Sequence, residues 1–181
     1  MRAPTVLVIL AEGFEEIEAI TPVDILRRAG AEVTLAALGD SIHVAGRNGL
    51  VLHADTTLSA SEGSSYDCIL LPGGPGTSQL RADTRVADWI RRQRAGNGWI
   101  AAICAAPLVL KDSGVLEGRN YTAHHSVVAE LPDLRPQDRV VVDGRLITSR
   151  GAGTALEFGL VLVERLFSAE KAAEIAQSVC A

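Results

Sequence analysis

Apolar and polar residues follow two alternating patterns along the chain. Val6 to Ala11 is an unbroken apolar, β-branched run, the pattern of a strand buried on both faces. Phe14 to Ala29 reads as a helix and Ala31 to Leu38 as a second strand. Tyr66 to Leu71 predicts a further buried strand, ending in the Pro72-Gly73-Gly74-Pro75-Gly76 punctuation. Asp83 and Thr84 can cap a helix in which Val86, Trp89, Ile90 and Gln93 recur at helical spacing until Gly96 and Gly98 stop it. Trp99 to Ile103 is a strand that runs into a short helix over Pro107 to Asp112. Val140 to Val142 turns through Asp143-Gly144 into Leu146 to Thr148 as a hairpin. Thr154 opens the final long helical region, and Thr154 with Glu157 has the spacing of a capping box.

Strands that alternate with helices and are apolar throughout imply a mostly parallel sheet with helices on both faces. This is a doubly wound α/β domain. Ligand sites in such sheets lie beyond the carboxyl ends of the strands, so the turns to search are Ala11 to Gly13, Pro72 to Gly76 and Cys104 to Pro107.

Composition narrows the function classes. With 181 residues, 48% apolar and 22% charged, the chain can bury roughly 70% of its unfolded surface in one core, without disulfides or metal. Three widely spaced cysteines, Cys68, Cys104 and Cys180, fit neither a disulfide framework nor a zinc site and point to a reducing compartment. A net charge of −5 with no basic run argues against nucleic acid. The longest nearly uncharged apolar stretch, Trp99 to Leu110, contains Pro107 and is too short to cross a bilayer. Glu12, Glu15, Glu16 and Glu18 follow the first apolar run at once, unlike a signal peptide. A cytoplasmic protein is expected, with neither nucleic acid nor membrane as partner.

Cys104 carries the strongest chemical signal. It ends a strand three residues before Pro107, between small neighbours Ala102, Ala105 and Ala106, as in a nucleophile elbow. The unpaired N–H groups of the new helix favour a low-pKa thiolate there. An inert buried cysteine is the competing reading. Cys68 lies within a strand and reads as core, and Cys180 as a surface thiol. Glu18 has Phe14, Thr21, Pro22 and Ile25 as helical neighbours, a setting that disfavours its ionised form and suits proton transfer near neutral pH. Glu16 faces Ile20 and Val23, so periodicity leaves the two carboxylates nearly tied, and a solvated acidic first turn accounts for Glu15 and Glu16. His124 and His125 could orient a thiolate or shuttle a proton, although a surface loop pair is commoner. Gly73 and Gly74 could aim backbone N–H groups at a ligand oxygen or simply make a tight turn. They match neither a phosphate loop nor a dinucleotide fingerprint. Arg150-Gly151-Ala152-Gly153 could hold an anion before the last helical region or serve as a structural turn.

Together these residues resemble the ThiJ/PfpI superfamily, in its parkinsonism-associated deglycase (DJ-one) branch, across nearly the whole chain. The matching segments are Val6 to Glu18, Pro22 to Asp24 with Arg27 to Gly30, Leu71 to Gly74, Ala101 to Pro107 and Thr148 to Gly151. The resemblance implies one domain over residues 1–181 with a flavodoxin-like sandwich fold akin to class I glutamine amidotransferases, a homodimer, and no cofactor or metal. It implies Cys104 as nucleophile or oxidisable thiol and Glu18 as its carboxylic partner, which breaks the tie with Glu16. It makes His124 the nearby histidine and assigns the Gly74 and Ala105 backbone, with Gly73, to the oxyanion and substrate site. His125 has no family role. Ala105 stands where the peptidase branch carries His, and no histidine follows His125, unlike the amidotransferases. Pro75 replaces a polar residue of the human relative, so contacts of that loop do not carry over. The implied activity is that of a glyoxalase or deglycase, acting on 2-oxoaldehydes such as methylglyoxal or on early glycation adducts of proteins. The alternative is a redox sensor or chaperone in which Cys104 is oxidised without turnover.

Overall fold

The computed structural model describes residues 2–181. Its centre is a seven-stranded sheet. In chain order the main elements are β1 (Thr5–Leu10), α1 (Glu16–Ala29), β2 (Glu32–Ala37), β3 (His43–Ala45), β4 (Val51–His53), β5 (Thr56–Thr57) and β6 (Cys68–Leu71). There follow α2 (Thr77–Ala82), α3 (Thr84–Ala95), β7 (Trp99–Ile103), α4 (Pro107–Asp112), β8 (Val140–Asp143), β9 (Leu146–Ser149), α5 (Ala155–Leu166) and α6 (Ala169–Ser178). The sheet order is β5-β2-β1-β6-β7-β9-β8, with β3 and β4 forming a separate hairpin. All neighbours in the large sheet are parallel except β8 and β9. The fold is flavodoxin-like, with helices on both faces as the alternating pattern predicts.

The strands are uniformly apolar because each face meets helices. Val6, Val8 and Leu10 of β1 join a cluster with Leu26, Phe158 and Leu162, whereas Leu7 and Ile9 join Trp89, Ile90 and Val109 on the other side. No alternation survives in such a strand. Gly159 lets α5 press against α1, since a Cβ there would lie 3.2 Å from Pro22 Cα and Ile25 Cβ.

Several expectations need correction. The first helix begins at Glu16 rather than Phe14, because Phe14 bridges to Gly46 and Glu15 serves as the N-cap, accepting the Glu18 N–H at 2.9 Å. The acidic first turn is not solvated: Glu15, Glu16 and Glu18 are all buried. The capping box at Thr154 does not form. Thr154 Oγ1 instead meets Gly151 O at 2.8 Å and Ser149 Oγ at 2.6 Å, and Glu157 takes the Arg139 guanidinium at 2.6 Å. The final helical region divides at Phe167, and Ser168 caps α6 by accepting the Lys171 N–H.

The β3–β4 hairpin and α2 were absent from the expected elements. The hairpin is held from outside: Glu12 Oε2 accepts the Ala45 N–H at 3.0 Å, and Glu16 Oε1 accepts the Asn48 N–H at 2.7 Å while its Oε2 accepts Asn48 Nδ2 at 2.9 Å. Burial works to raise the Glu16 pKa, but these hydrogen bonds prevail and hold it below the usual value. Glu16→Ala should therefore leave the Asn48 N–H, Asn48 Nδ2 and Leu50 N–H without their acceptor. The expected result is a lower urea midpoint and faster amide exchange confined to Gly46–Leu50, measured by hydrogen–deuterium exchange; unchanged exchange there would contradict this role. Among the described residues no helix is long and apolar enough to cross a membrane.

Candidate active site

Three strand ends meet at one place. The turn after β1 leads into α1 and Glu18, the turn after β6 carries Gly73 and Gly74, and the turn after β7 carries Cys104. β1 and β6 are neighbours, and the chain winds outward from them in opposite directions. This is the switch point at which doubly wound sheets leave a crevice.

Cys104 sits at φ +65°, a left-handed conformation rarely held by a non-glycine residue. The flanking strands fix it there. Its N–H donates to Ser149 O at 2.9 Å, and its carbonyl accepts the His124 N–H at 2.9 Å. Small Ala105 and Ala106, then Pro107 at the start of α4, let the chain turn at once.

Glu18, 1% exposed, reaches across to this turn. Its Oε2 accepts the Gly73 N–H at 3.0 Å, and its carboxyl group is hydrogen-bonded to the Ala152 N–H and to the Cys104 thiol. The approach requires glycine at position 73. A Cβ there would stand 2.6 Å from both Cys104 Cβ and Glu18 Oε2. Gly74, at φ +93°, is equally constrained, since a Cβ would meet Gly13 O at 2.6 Å.

Burial pushes the Glu18 carboxyl up to about 7, with repulsion from Glu15 adding to it and the bonds from Cys104, Gly73 and Ala152 opposing it. The Cys104 thiol is pushed up to about 12, by burial first, then by the charge and hydrogen bond of Glu18. The Ala105 and Gly74 N–H groups face the sulfur and pull the other way. The low thiol pKa expected from the helix turn alone is thus overridden, by burial first and by Glu18 second. As pH rises through about 7 the pair loses its first proton, and the one that remains lies between carboxyl and thiol. With the proton on Glu18, sulfur carries the charge and the two N–H groups stabilise it.

His124 closes the site from the side of β9. Its Nδ1 lies 2.8 Å from Ser126 Oγ, and its ring lies against that of His125, 4.0 Å between centroids and tilted by 37°. Burial, then the charges of His125 and Arg150, lower its pKa, so the ring is neutral at pH 7. Gly151 lies between the groups: a Cβ there would be 3.4 Å from His124 Cδ2, 3.7 Å from Glu18 Oε1 and 4.0 Å from Cys104 Sγ. Glu15, Ser126 and Ala152 were not singled out for this site from the sequence. Glu15 left a signal as an acidic residue three positions before Glu18, and Ala152 as part of the Arg150-to-Gly153 turn. Cys68 is buried in β6 and Cys180 is exposed. Among the described residues no three His, Cys, Asp or Glu side chains converge as metal ligands would.

Fold and site together define a flavodoxin-like α/β protein with a cysteine on a strained strand–helix turn, paired with a buried carboxyl group. The chain belongs to the DJ-1/PfpI family, whose description matches residues 4–165. Protein dj-1beta of Drosophila melanogaster is 43% identical over 177 residues, covering 96% of this chain and 95% of that one. Protein DJ-1 homolog B of Arabidopsis thaliana is 41% identical over 97% of this chain, which spans only 41% of that protein's length. A protein of Caenorhabditis elegans named glutathione-independent glyoxalase DJR-1.2 is 36% identical over 173 residues, covering 93% of this chain and 91% of that one. Among solved structures, that of Toxoplasma gondii DJ-1, oxidized, superposes with a TM-score of 0.94 at 39% identity, covering 98% of each chain.

Proposed function

We propose that the protein is a cofactor-independent glyoxalase that converts 2-oxoaldehydes such as methylglyoxal to 2-hydroxy acids, with early glycation adducts as related substrates. The observation that carries this reading is the Cys104–Glu18 pair, a thiol hydrogen-bonded to a buried carboxyl group beside two converging N–H groups. The Cys104 thiolate adds to the aldehyde carbon, and the resulting oxyanion is held by the Gly74 and Ala105 N–H groups before it takes the proton from Glu18, which leaves the carboxylate free to act as base. Glu18 removes the proton from that carbon to give an enediolate and returns it to the neighbouring carbon. The aldehyde carbon is thereby oxidised to a thioester and the ketone carbon reduced to an alcohol. Water then hydrolyses the thioester, releasing lactate and the thiol. Neutral His124 relays protons at the open side. The name of the Caenorhabditis elegans relative supports this class of reaction.

The test is the wild-type protein with methylglyoxal, without glutathione, against heat-denatured protein. Catalytic lactate formation over many turnovers is expected; stoichiometric modification that stops after one equivalent would refute turnover. A second reading, reversible sensing of oxidants, rests on the same bond: a protonated Glu18 would donate to a Cys104 sulfinate. Oxygen addition restricted to Cys180 after mild peroxide would count against it. Three free thiols support a reducing, cytoplasmic setting. The exposed apolar residues Ile17, Ile20, Leu50 and Val51 support a single-domain chain that pairs with a second copy.

A further inference from the structure

We infer that the cleft above Cys104 selects carbonyl substrates bearing an anionic group, a carboxylate or phosphate tail that pairs with Arg150. This deepens the proposed glyoxalase reading and rests on it for the identity of the reacting end. The cleft encloses about 340 Å³ and is lined by His124, His125, Arg139, Arg150, Gly151 and Thr154 among others. One of these, Gly151, links the cleft to the thiol, since a Cβ there would lie 4.0 Å from Cys104 Sγ and 3.4 Å from His124 Cδ2, so a substrate held on the sulfur projects its substituent into this space. The methyl group of methylglyoxal would leave most of it to water, which takes roughly 30 Å³ per molecule.

The charges in the cleft do not cancel. Arg139 is tied to Glu157 at 2.6 Å and to Gly153 O at 3.0 Å. Arg150 is exposed and forms no ion pair among the described residues; its backbone N–H donates to Arg139 O. Its charge reaches the His124 ring and helps hold it neutral. A chain of net charge −5 thus presents an uncompensated cation in the cleft that Gly151 shares with the thiol. Below lies the Cys104–Glu18 pair, which repels an anion once it has lost its first proton. Arg150 offsets that repulsion at the mouth. For a tailed substrate the reaction balances as before. In 4,5-dioxopentanoate the aldehyde carbon is oxidised to carboxylate, the ketone carbon is reduced to alcohol, and one water is taken up to give 2-hydroxyglutarate.

Cleft and chemistry are tested separately. Iodoacetate and iodoacetamide are nearly isosteric and differ in charge, and each alkylates a thiolate by displacing iodide. Arg150→Gln should lower the ratio of iodoacetate to iodoacetamide rates at Cys104 about fivefold, the effect of one partly exposed charge pair. The ratio at Cys180, read by mass spectrometry in the same sample, should stay unchanged. Arg150→Lys should restore most of it. An unchanged ratio at Cys104, or a Cys104 that reacts with neither reagent, would overturn the proposal. In the second arm, Arg150→Gln should lower kcat/KM for 4,5-dioxopentanoate relative to methylglyoxal by a similar factor; an unaltered ratio of specificities overturns the selection. If neither aldehyde turns over while the alkylation ratio responds as expected, the catalytic reading falls and the anion subsite stands.

Discussion

Cys104→Ser is expected to reduce lactate formation from methylglyoxal by ~10³-fold or more in kcat/KM while leaving the thermal midpoint within a few degrees of wild type. Both halves follow from the turn. Serine differs from cysteine at one atom, keeps the backbone bonds to Ser149 O and from the His124 N–H, and meets the same cost at φ +65°. The packing therefore has no reason to change. Nucleophilicity does, because an alcohol near Glu18 gives up its proton far less readily than a thiol and makes a poorer leaving group when the acyl intermediate is hydrolysed. A merely structural cysteine would show the opposite pattern, with activity retained and stability moved. Coupled detection of lactate, with circular dichroism on the same samples, separates the two. Equal rates for the two proteins would remove Cys104 from the chemistry.

The parts of this site that were legible in the sequence are those built from neighbouring residues. β1, β6 and β7 are apolar without interruption because helices cover both faces. The Cys104 turn is punctuated by alanines and a proline within three residues, so one short window contained both the strand end and the elbow. The choice between Glu16 and Glu18 was not legible, because their partners lie far away in the chain. Glu18 meets Gly73, and Glu16 meets Asn48 and fastens a hairpin. Both side chains are buried, so no count of apolar neighbours distinguishes them; resemblance to the family did. The same distance hid β3 and β4, short strands ordered by carboxylates from the β1–α1 region rather than by a pattern of their own. Thr154 misled for a related reason. Its spacing to Glu157 fits a capping box, but tertiary partners at Ser149 and Gly151 claim its hydroxyl. The expected thiolate also rested on the local turn, whereas the observed titration belongs to a pair assembled across 86 positions of sequence between Glu18 and Cys104.

Glu18→Gln should separate the catalytic and energetic roles of that pair. Glutamine can still accept the Gly73 N–H and donate to the sulfur, but it cannot move a proton, so kcat should fall by ~10²- to 10⁴-fold. Stability should change in the other direction. The carboxyl group titrates near 4.5 when unfolded and is raised to about 7 by burial, so between those values the folded protein retains a proton that the unfolded chain has lost. The corresponding stabilisation is complete below pH 4.5 and disappears as pH rises through 7. A shift of this size corresponds to about 3 kcal/mol at most, at 1.36 kcal/mol per pKa unit. Glutamine has no such penalty. The variant should match wild type near pH 4.5 and become progressively more stable than it up to pH 8, as read from urea midpoints. Thiol reactivity supplies an independent check. Wild-type Cys104 should alkylate with an inflection near pH 7, where the pair loses its first proton and sulfur takes a share of the charge. Removing the carboxyl group should abolish that inflection and leave a single titration above it. A stability difference constant across pH, or an inflection that survives the substitution, would show that Glu18 does not share a proton with Cys104.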